Sequence, residues 1–95
     1  MWRVLVSRRA VRRAKGLGIS ERFKGLIEDL EEGLREDAER VLNNLLREPI
    51  VGVVRGRKVR RLRMGKYRVF FYIDFEEKAV VLFWIEHRER AYRSF

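Results

Sequence analysis

The chain has 95 residues, with 23 Lys and Arg against 14 Asp and Glu, so its formal net charge is +9 at pH 7. This length fits one domain over residues 1–95, and 46% hydrophobic with 12% aromatic residues indicates a folded globule rather than disorder. The absence of Cys excludes disulfides, and one His leaves too few ligands for a zinc site, so we expect no metal or cofactor. The positive charge favours nucleic acid or an acidic protein as the partner.

Hydropathy argues against a membrane location. The longest apolar run, Ala79 to Ile85, has seven residues, whereas a spanning helix needs about 20. The N-terminal residues lack the small-residue cleavage site of a signal peptide, which favours a cytoplasmic protein. The chain has 18 Arg, 5 Lys and neither Gln nor Thr, a composition compatible with a thermophilic source.

The first predicted elements are a short strand and a short helix. Residues Trp2 to Val6 are apolar and partly β-branched, which is typical of a strand. Ser7 is a suitable N-cap for about two helical turns over residues 8–14. Gly16 and Gly18 then predict the end of this helix.

A long amphipathic helix comes next. After Ser20, a second candidate N-cap, apolar residues recur at spacings of three and four from Phe23 to Leu46. Pro49 predicts the end of the segment. Because Gly33 destabilises a helix by about 1 kcal/mol relative to Ala, the segment is either one bent helix or two helices, and we favour one long helix that bends at Gly33.

The second half of the chain has the pattern of an antiparallel sheet. Residues 50–54 lead into a basic turn, and strands are predicted at Val59–Met64, Tyr67–Phe75 and Ala79–Glu86. The connecting turns are short enough to join neighbouring antiparallel strands. The sequence thus predicts an α+β fold, in which the N-terminal strand and the helices pack on a mainly antiparallel four-stranded sheet. Residues 88–95 are expected to form a short helix or tail.

Positive charge is concentrated on the predicted sheet, with eight cations and no acid over residues 55–68. Strand alternation places Arg61 and Arg63 on one face, and it places Arg68 on a face with Phe70 and Tyr72. Arginine beside aromatic rings suits single-stranded nucleic acid, whose phosphates bind the cations while its bases stack on the rings. The alternative is a solubilising surface over a core.

The end of the last predicted strand carries a second candidate group. His87 and Arg88 follow the strand, and Tyr92 lies one helical turn after Arg88. His87 is either a structural hydrogen-bonding residue or a group with a site role. Glu86 and Glu89 would leave no site if they neutralised these cations.

Residues 61–72 (RLRMGKYRVFFY), with the apolar strand after them, His87-Arg88 and Tyr92, resemble the RelE/ParE superfamily of bacterial and archaeal toxins. The resemblance is close over residues 58–93, and before them only the order of elements matches. It implies a RelE-like fold and a toxin of a type II toxin–antitoxin pair. The RelE branch implies a ribosome-dependent endoribonuclease that cuts messenger RNA without a metal, through attack of the ribose 2′-hydroxyl on the adjacent phosphate.

The resemblance also implies roles for individual residues. Arg61 matches a basic residue used as base or orienting group, and Arg68 matches an arginine that stabilises the phosphate. Arg88 matches a proposed acid or charge stabiliser, and Tyr92 matches a tyrosine that stacks on or orients the nucleotide. Further RNA contacts are expected from Lys58, Arg63, Lys66, His87 and Arg90. Because a guanidinium with a pKa above about 12 accepts protons poorly, either positioning and electrostatics dominate or His87 is the base.

Partners follow from the same resemblance. It implies an acidic, RelB-like antitoxin that wraps the toxin, together with messenger RNA and the ribosome. One alternative is a ParE-like toxin that inhibits DNA gyrase without cutting RNA, and another is a nucleic-acid-binding domain that has lost its toxicity. The full set of basic residues at positions 61, 68 and 88, with Tyr92, favours the ribonuclease.

Overall fold

The computed structural model describes residues 1–91. Tyr92 and the rest of the predicted tail lie outside the described residues. In chain order the elements are β1 (Arg3–Val6), α1 (Arg8–Gly16), α2 (Ser20–Leu45), β2 (Ile50–Val54), β3 (Arg57–Met64), β4 (Tyr67–Asp74), β5 (Ala79–His87) and α3 (Arg88–Ala91).

The strands form one sheet in the order β1-β5-β4-β3-β2, with β1 parallel to β5 and the other pairs antiparallel. The predicted α+β class and mainly antiparallel sheet are confirmed, but the predicted number of four strands is wrong, because residues 50–54 form a fifth. Gly52 weakens the strand signal, and a bulge between Ile50 and Gly52 interrupts the pairing with β3. A short glycine-containing edge strand is therefore hard to recognise from sequence.

Ser7 begins α1, as predicted. Its hydroxyl oxygen accepts a hydrogen bond from the Ala10 N–H (3.1 Å), and the same hydroxyl donates to the Phe83 carbonyl (3.0 Å). The first bond satisfies a free N–H at the helix start, and the second fastens that start to β5. Ser7 thereby fixes where α1 lies beside the sheet.

The long helix α2 bends at Asp37, so the prediction of a bend at Gly33 is wrong. Asp37 has an extended backbone (φ −154°, ψ 81°), and its carboxylate accepts a hydrogen bond from the Arg40 N–H (3.2 Å). It thus acts as an N-cap for the last two turns. Gly33 stays helical, and its lack of a side chain permits close packing, since a Cβ there would lie 2.9 Å from Val41 Cγ2.

The predicted cap at Ser20 is also wrong. Ile19 occupies the cap position without a side-chain hydrogen bond, and Ser20 is the first helical residue. The turn before α2 is closed by backbone bonds instead, since the Ile19 N–H donates to the Ala14 carbonyl (2.9 Å). That bond satisfies a carbonyl at the C-terminal end of α1, next to Gly18 at φ 73°.

The two faces of the sheet differ in cover. One face, here called the helical face, packs against α2 through a core that includes Phe23, Leu34, Phe71 and Leu82. The opposite face, here called the open face, carries a smaller cluster in which Ala91 of α3 lies against Val59 and Phe70. Within residues 1–91, the short helix α3 packs on this second face through Ala91. Among the residues described, no helix is both long and apolar enough to cross a membrane.

Candidate nucleic-acid interface

Strand register assembles two rows of side chains across the open face. In the first row, Arg61 of β3 is opposite Phe70 of β4, and Phe70 is opposite Trp84 of β5. In the second row, Arg63 is opposite Arg68, and Arg68 is opposite Glu86. Directly opposite residues share a face, so the sheet brings Arg61, Arg63 and Arg68 together as the alternation predicts.

The pairing of Arg63 with Arg68 is unfavourable for the isolated chain, since like charges directly opposite on antiparallel strands destabilise a sheet. The Arg68 guanidinium is held beside the β3–β4 turn, because its Nη1 donates to the carbonyls of Gly65 (2.9 Å) and Tyr67 (2.8 Å). Two arginines at directly opposite positions on one face suit a doubly coordinated anion such as a phosphate.

Glu86, the acid in the second row, is paired with Arg13 of α1. Its carboxylate accepts from Arg13 Nη2 (2.6 Å), from Trp84 Nε1 (3.4 Å) and from the His87 N–H (3.3 Å). Burial by itself would raise the pKa of Glu86, but these hydrogen bonds and the charge of Arg13 outweigh burial and hold the pKa below its ordinary value. The carboxylate of Glu86 is thus ion-paired with the guanidinium of Arg13 on α1.

The start of α3 is attached to the same β3–β4 turn that holds Arg68. The Arg88 N–H donates to the Lys66 carbonyl (2.8 Å), while the side chains of Arg88 and Lys66 are exposed. Arg68, Lys66 and Arg88 therefore belong to one end of the sheet. Arg90, two residues further along α3, is also exposed. Tyr92 lies outside the described residues, so its assignment stays a prediction.

Two predicted RNA-binding residues lie away from the three arginines. His87 is opposite Tyr67 on the helical face, with the two rings in edge contact at 5.7 Å, and its Nδ1 accepts from the Glu89 N–H (3.3 Å). Lys58 is exposed and, by strand alternation, shares the side of Arg60. The side-chain period of two separates both from the open face. Their contact with RNA stays a prediction, and the placement of His87 argues against its use as a base beside Arg61.

Sequence reasoning missed the contribution of α1. The guanidinium groups of Arg9 and Arg13 lie over the Trp84 ring, at 4.9 Å and 5.2 Å from its centroid. With Arg12 and Gly16 they line a concavity of about 370 Å³ at the edge of the open face. The spacing of the arginines on α1 was a usable signal, but their meeting with Trp84 depends on the sheet register.

The described residues also bear on metal chemistry. Over residues 1–91, His, Asp and Glu side chains form no group of three or more that could hold a metal ion.

Comparison with known proteins agrees with this architecture. The family model for the ParE toxin of type II toxin–antitoxin systems, parDE, matches residues 4–92. The chain belongs to this family. No curated protein matches it.

The fold of this ParE-family toxin is similar to that in the crystal structure of the archaeal RelE-RelB complex from Pyrococcus horikoshii OT3. The TM-score is 0.62 at 20% sequence identity, over 95% of this chain and 98% of that chain. The predicted membership of the RelE/ParE superfamily and the RelE-like fold are thereby confirmed. The family model carries the name of one branch of the superfamily and the solved structure carries the name of the other.

Proposed function

We propose that this ParE-family toxin is a metal-independent endoribonuclease that cuts messenger RNA at the ribosome. The observation that carries the proposal is the placement of Arg61, Arg63 and Arg68 on one face, with Arg63 and Arg68 directly opposite each other. A sheet gains no stability from that pair, whereas a phosphodiester would be bound by both guanidinium groups. Arg88 lies at the same end of the sheet, since its backbone is bonded to the turn that holds Arg68.

The reaction that suits these groups is transesterification within the RNA strand. The ribose 2′-oxygen forms a bond to the adjacent phosphorus, and the bond from phosphorus to the 5′-oxygen breaks. The products are a 2′,3′-cyclic phosphate and a 5′-hydroxyl. Negative charge that builds on the phosphoryl oxygens in the transition state is stabilised by Arg61 and Arg68, and Arg88 stabilises the charge on the leaving oxygen.

Proton transfer is assigned to water. The guanidinium groups keep their protons at neutral pH, and His87 is on the opposite face of the sheet from Arg61. The 2′-hydroxyl proton therefore passes to solvent, and the leaving 5′-oxygen takes one from solvent. Positioning and charge stabilisation supply the rate enhancement in this scheme. Tyr92 is proposed to orient the nucleotide.

An acidic antitoxin is the proposed regulator of this activity. The chain carries a net charge of +9, and the open face is only partly covered by α3. The crystal structure with the similar fold is that of the archaeal RelE-RelB complex from Pyrococcus horikoshii OT3. We propose that an acidic RelB-like chain wraps this toxin and competes with RNA for the arginines.

The second candidate is inhibition of DNA gyrase without RNA cleavage. The observation that favours it is the family model, which bears the ParE name and matches residues 4–92. The two functions differ in the damage that they cause. A ribonuclease leaves new 5′ ends in messages, whereas a gyrase inhibitor leaves messages intact and breaks DNA.

The test is to induce the chain in cells and map the 5′ ends of messages. We expect new 5′-hydroxyl ends within minutes for the wild type and also for Arg3→Ala, a matched control on β1 whose guanidinium is exposed and pairs with Glu77 at 3.3 Å. Arg68→Ala is expected to slow cleavage by about 10²–10³-fold, the loss that follows removal of a donor to a developing charge. Intact messages together with broken DNA would contradict the ribonuclease and would support inhibition of gyrase.

A further inference from the structure

The concavity beside Trp84 is a distinct feature of the open face. It has a volume of about 370 Å³ and is lined by Arg9, Arg12, Arg13, Gly16 and Trp84. Trp84 belongs to β5, whereas Arg61 belongs to β3, two strands away. Neighbouring strands are about 4.8 Å apart, so the two places are separated by roughly 10 Å along the sheet. No residue assigned to the scissile phosphate lines this concavity.

The three arginines of the concavity differ in their ion pairs and hydrogen bonds. Arg13 is held by its own bonds, because its Nε donates to the Ile85 carbonyl (3.1 Å) and its Nη2 donates to Glu86 (2.6 Å). Its charge is thus compensated. Within residues 1–91, Arg9 and Arg12 make neither an ion pair nor a side-chain hydrogen bond. Their charges are the ones that remain to attract a ligand.

Trp84 orients Arg9 without using its donors. The Arg9 guanidinium lies over the indole at 4.9 Å from the ring centroid, and this cation–π contact holds it there while its side chain makes no hydrogen bond within residues 1–91. Arg12 follows at a spacing of three residues, so both side chains lie on neighbouring positions of the helix surface. The pair forms a preorganised set of donors above a flat apolar floor.

The placement of Arg9 is costly for the helix. Arg9 is in the first turn of α1, which contains no acid, and a cation there opposes the helix dipole. The cation–π contact with Trp84 stabilises the side chain at this exposed site by an amount of the same size as this cost. A ligand with a negative charge would contact both the guanidinium groups and the indole of Trp84.

We infer that this concavity is a second nucleotide-binding site, in which Arg9 and Arg12 bind a phosphate of the RNA strand and a base or sugar lies against Trp84. The inference rests on the proposed function, because it supplies a contact for the RNA outside the scissile linkage. Nucleic acid fits better than an acidic peptide, since its repeating unit joins a bidentate anion to a planar ring.

The test uses Trp84 as its own reporter. The chain contains two tryptophans, and Trp2 lies against Phe75 rather than in the concavity, so a Trp2→Phe variant leaves Trp84 as the single tryptophan, which is excited selectively over tyrosine. The probe is a short single-stranded RNA with 2′-O-methyl groups throughout, which lacks the nucleophile and stays intact. We expect this probe to quench Trp84 fluorescence, and inorganic phosphate at the same phosphate concentration to quench it far less.

Variants of α1 locate the binding. Arg9→Ala with Arg12→Ala is expected to weaken binding at least ~10-fold and to reduce the salt slope by roughly 0.7, which corresponds to one phosphate contact on a single strand. Arg8→Ala with Lys15→Ala removes the same charge from the same helix but outside the concavity, and it should leave the slope unchanged. Circular dichroism melting of each variant verifies that it is folded.

Several outcomes would overturn the inference. Equal losses in both double variants would show general electrostatic attraction rather than a site. Binding without a change in Trp84 fluorescence would place the RNA elsewhere, and quenching by an acidic peptide of equal charge in preference to RNA would assign the concavity to a protein partner. None of these results affects the mapping of message 5′ ends, so a failure of this site is distinct from a failure of the proposed ribonuclease.

Discussion

The Glu86–Arg13 pair fastens α1 to β5, and Glu86→Gln tests how much that link stabilises the fold. The carboxylate is only 12% exposed, and it accepts a short hydrogen bond from Arg13 at 2.6 Å. A hydrogen bond to a charged group contributes about 1.5–3 kcal/mol, and the amide keeps the shape and one acceptor oxygen. We therefore expect a loss of about 1.5 kcal/mol in the free energy of unfolding at pH 7. For a domain of this size, that loss lowers the melting temperature by about 6–12 °C.

The assay is thermal unfolding by circular dichroism over a range of pH. The pKa of Glu86 is lowered from an ordinary value of 4.5, so its contribution is complete above that pH and disappears as the pH falls through the lowered value. The wild type and Glu86→Gln should thus converge in acid. Glu77→Gln is the control, because Glu77 is 65% exposed in its pair with Arg3 and should matter little. A difference between wild type and Glu86→Gln that stays constant down to pH 3, or that grows in acid, would refute the reasoning.

Three further predictions concern the sheet and α2. Arg63→Glu places an acid opposite Arg68, so we expect the free energy of unfolding to rise by about 0.2–1 kcal/mol while RNA cleavage falls. A lower free energy of unfolding in urea would contradict this. Gly65→Ala and Gly56→Ala both place alanine at positive φ (60° and 78°), so each should reduce the free energy of unfolding by about 1–2 kcal/mol. A much larger reduction at Gly65 would show that the flexible guanidinium beside it cannot move away from the new Cβ. Asp37→Ala removes the cap at the bend of α2 and should reduce the free energy of unfolding by about 1 kcal/mol, whereas an unchanged melting temperature would show that the cap is dispensable.

The order of elements was predictable because local patterns specify it. Apolar spacings of three and four predicted α2, strand-like runs between short turns predicted β3 and β4, and Ser7 predicted the start of α1. The errors have physical causes. The bend of α2 is at Asp37 because a carboxylate can cap a new helical segment, and Gly33 instead permits close packing.

The open face was predictable only within one strand pair. Alternation along β3 put Arg61 and Arg63 on one face. That Trp84 lies in the same row as Arg61 depends on the register of β5 against β4, which the sequence does not specify locally. A bulge between Phe70 and Phe71 shifts β5 against β4, and no local pattern announces it. His87 shows the same limit, since one residue of difference in a strand moves a side chain to the other face.

The central claim is that guanidinium groups on the open face stabilise the breaking of a phosphodiester bond in RNA. The most direct measurement is single-turnover cleavage of a ribosome-bound message by the purified chain, with chemical identification of the new ends. We predict a 2′,3′-cyclic phosphate and a 5′-hydroxyl, formed about 10²–10³ times more slowly by folded Arg61→Ala and Arg68→Ala variants. Cleavage at the wild-type rate by both variants, or an uncut message with the wild type, would contradict the account.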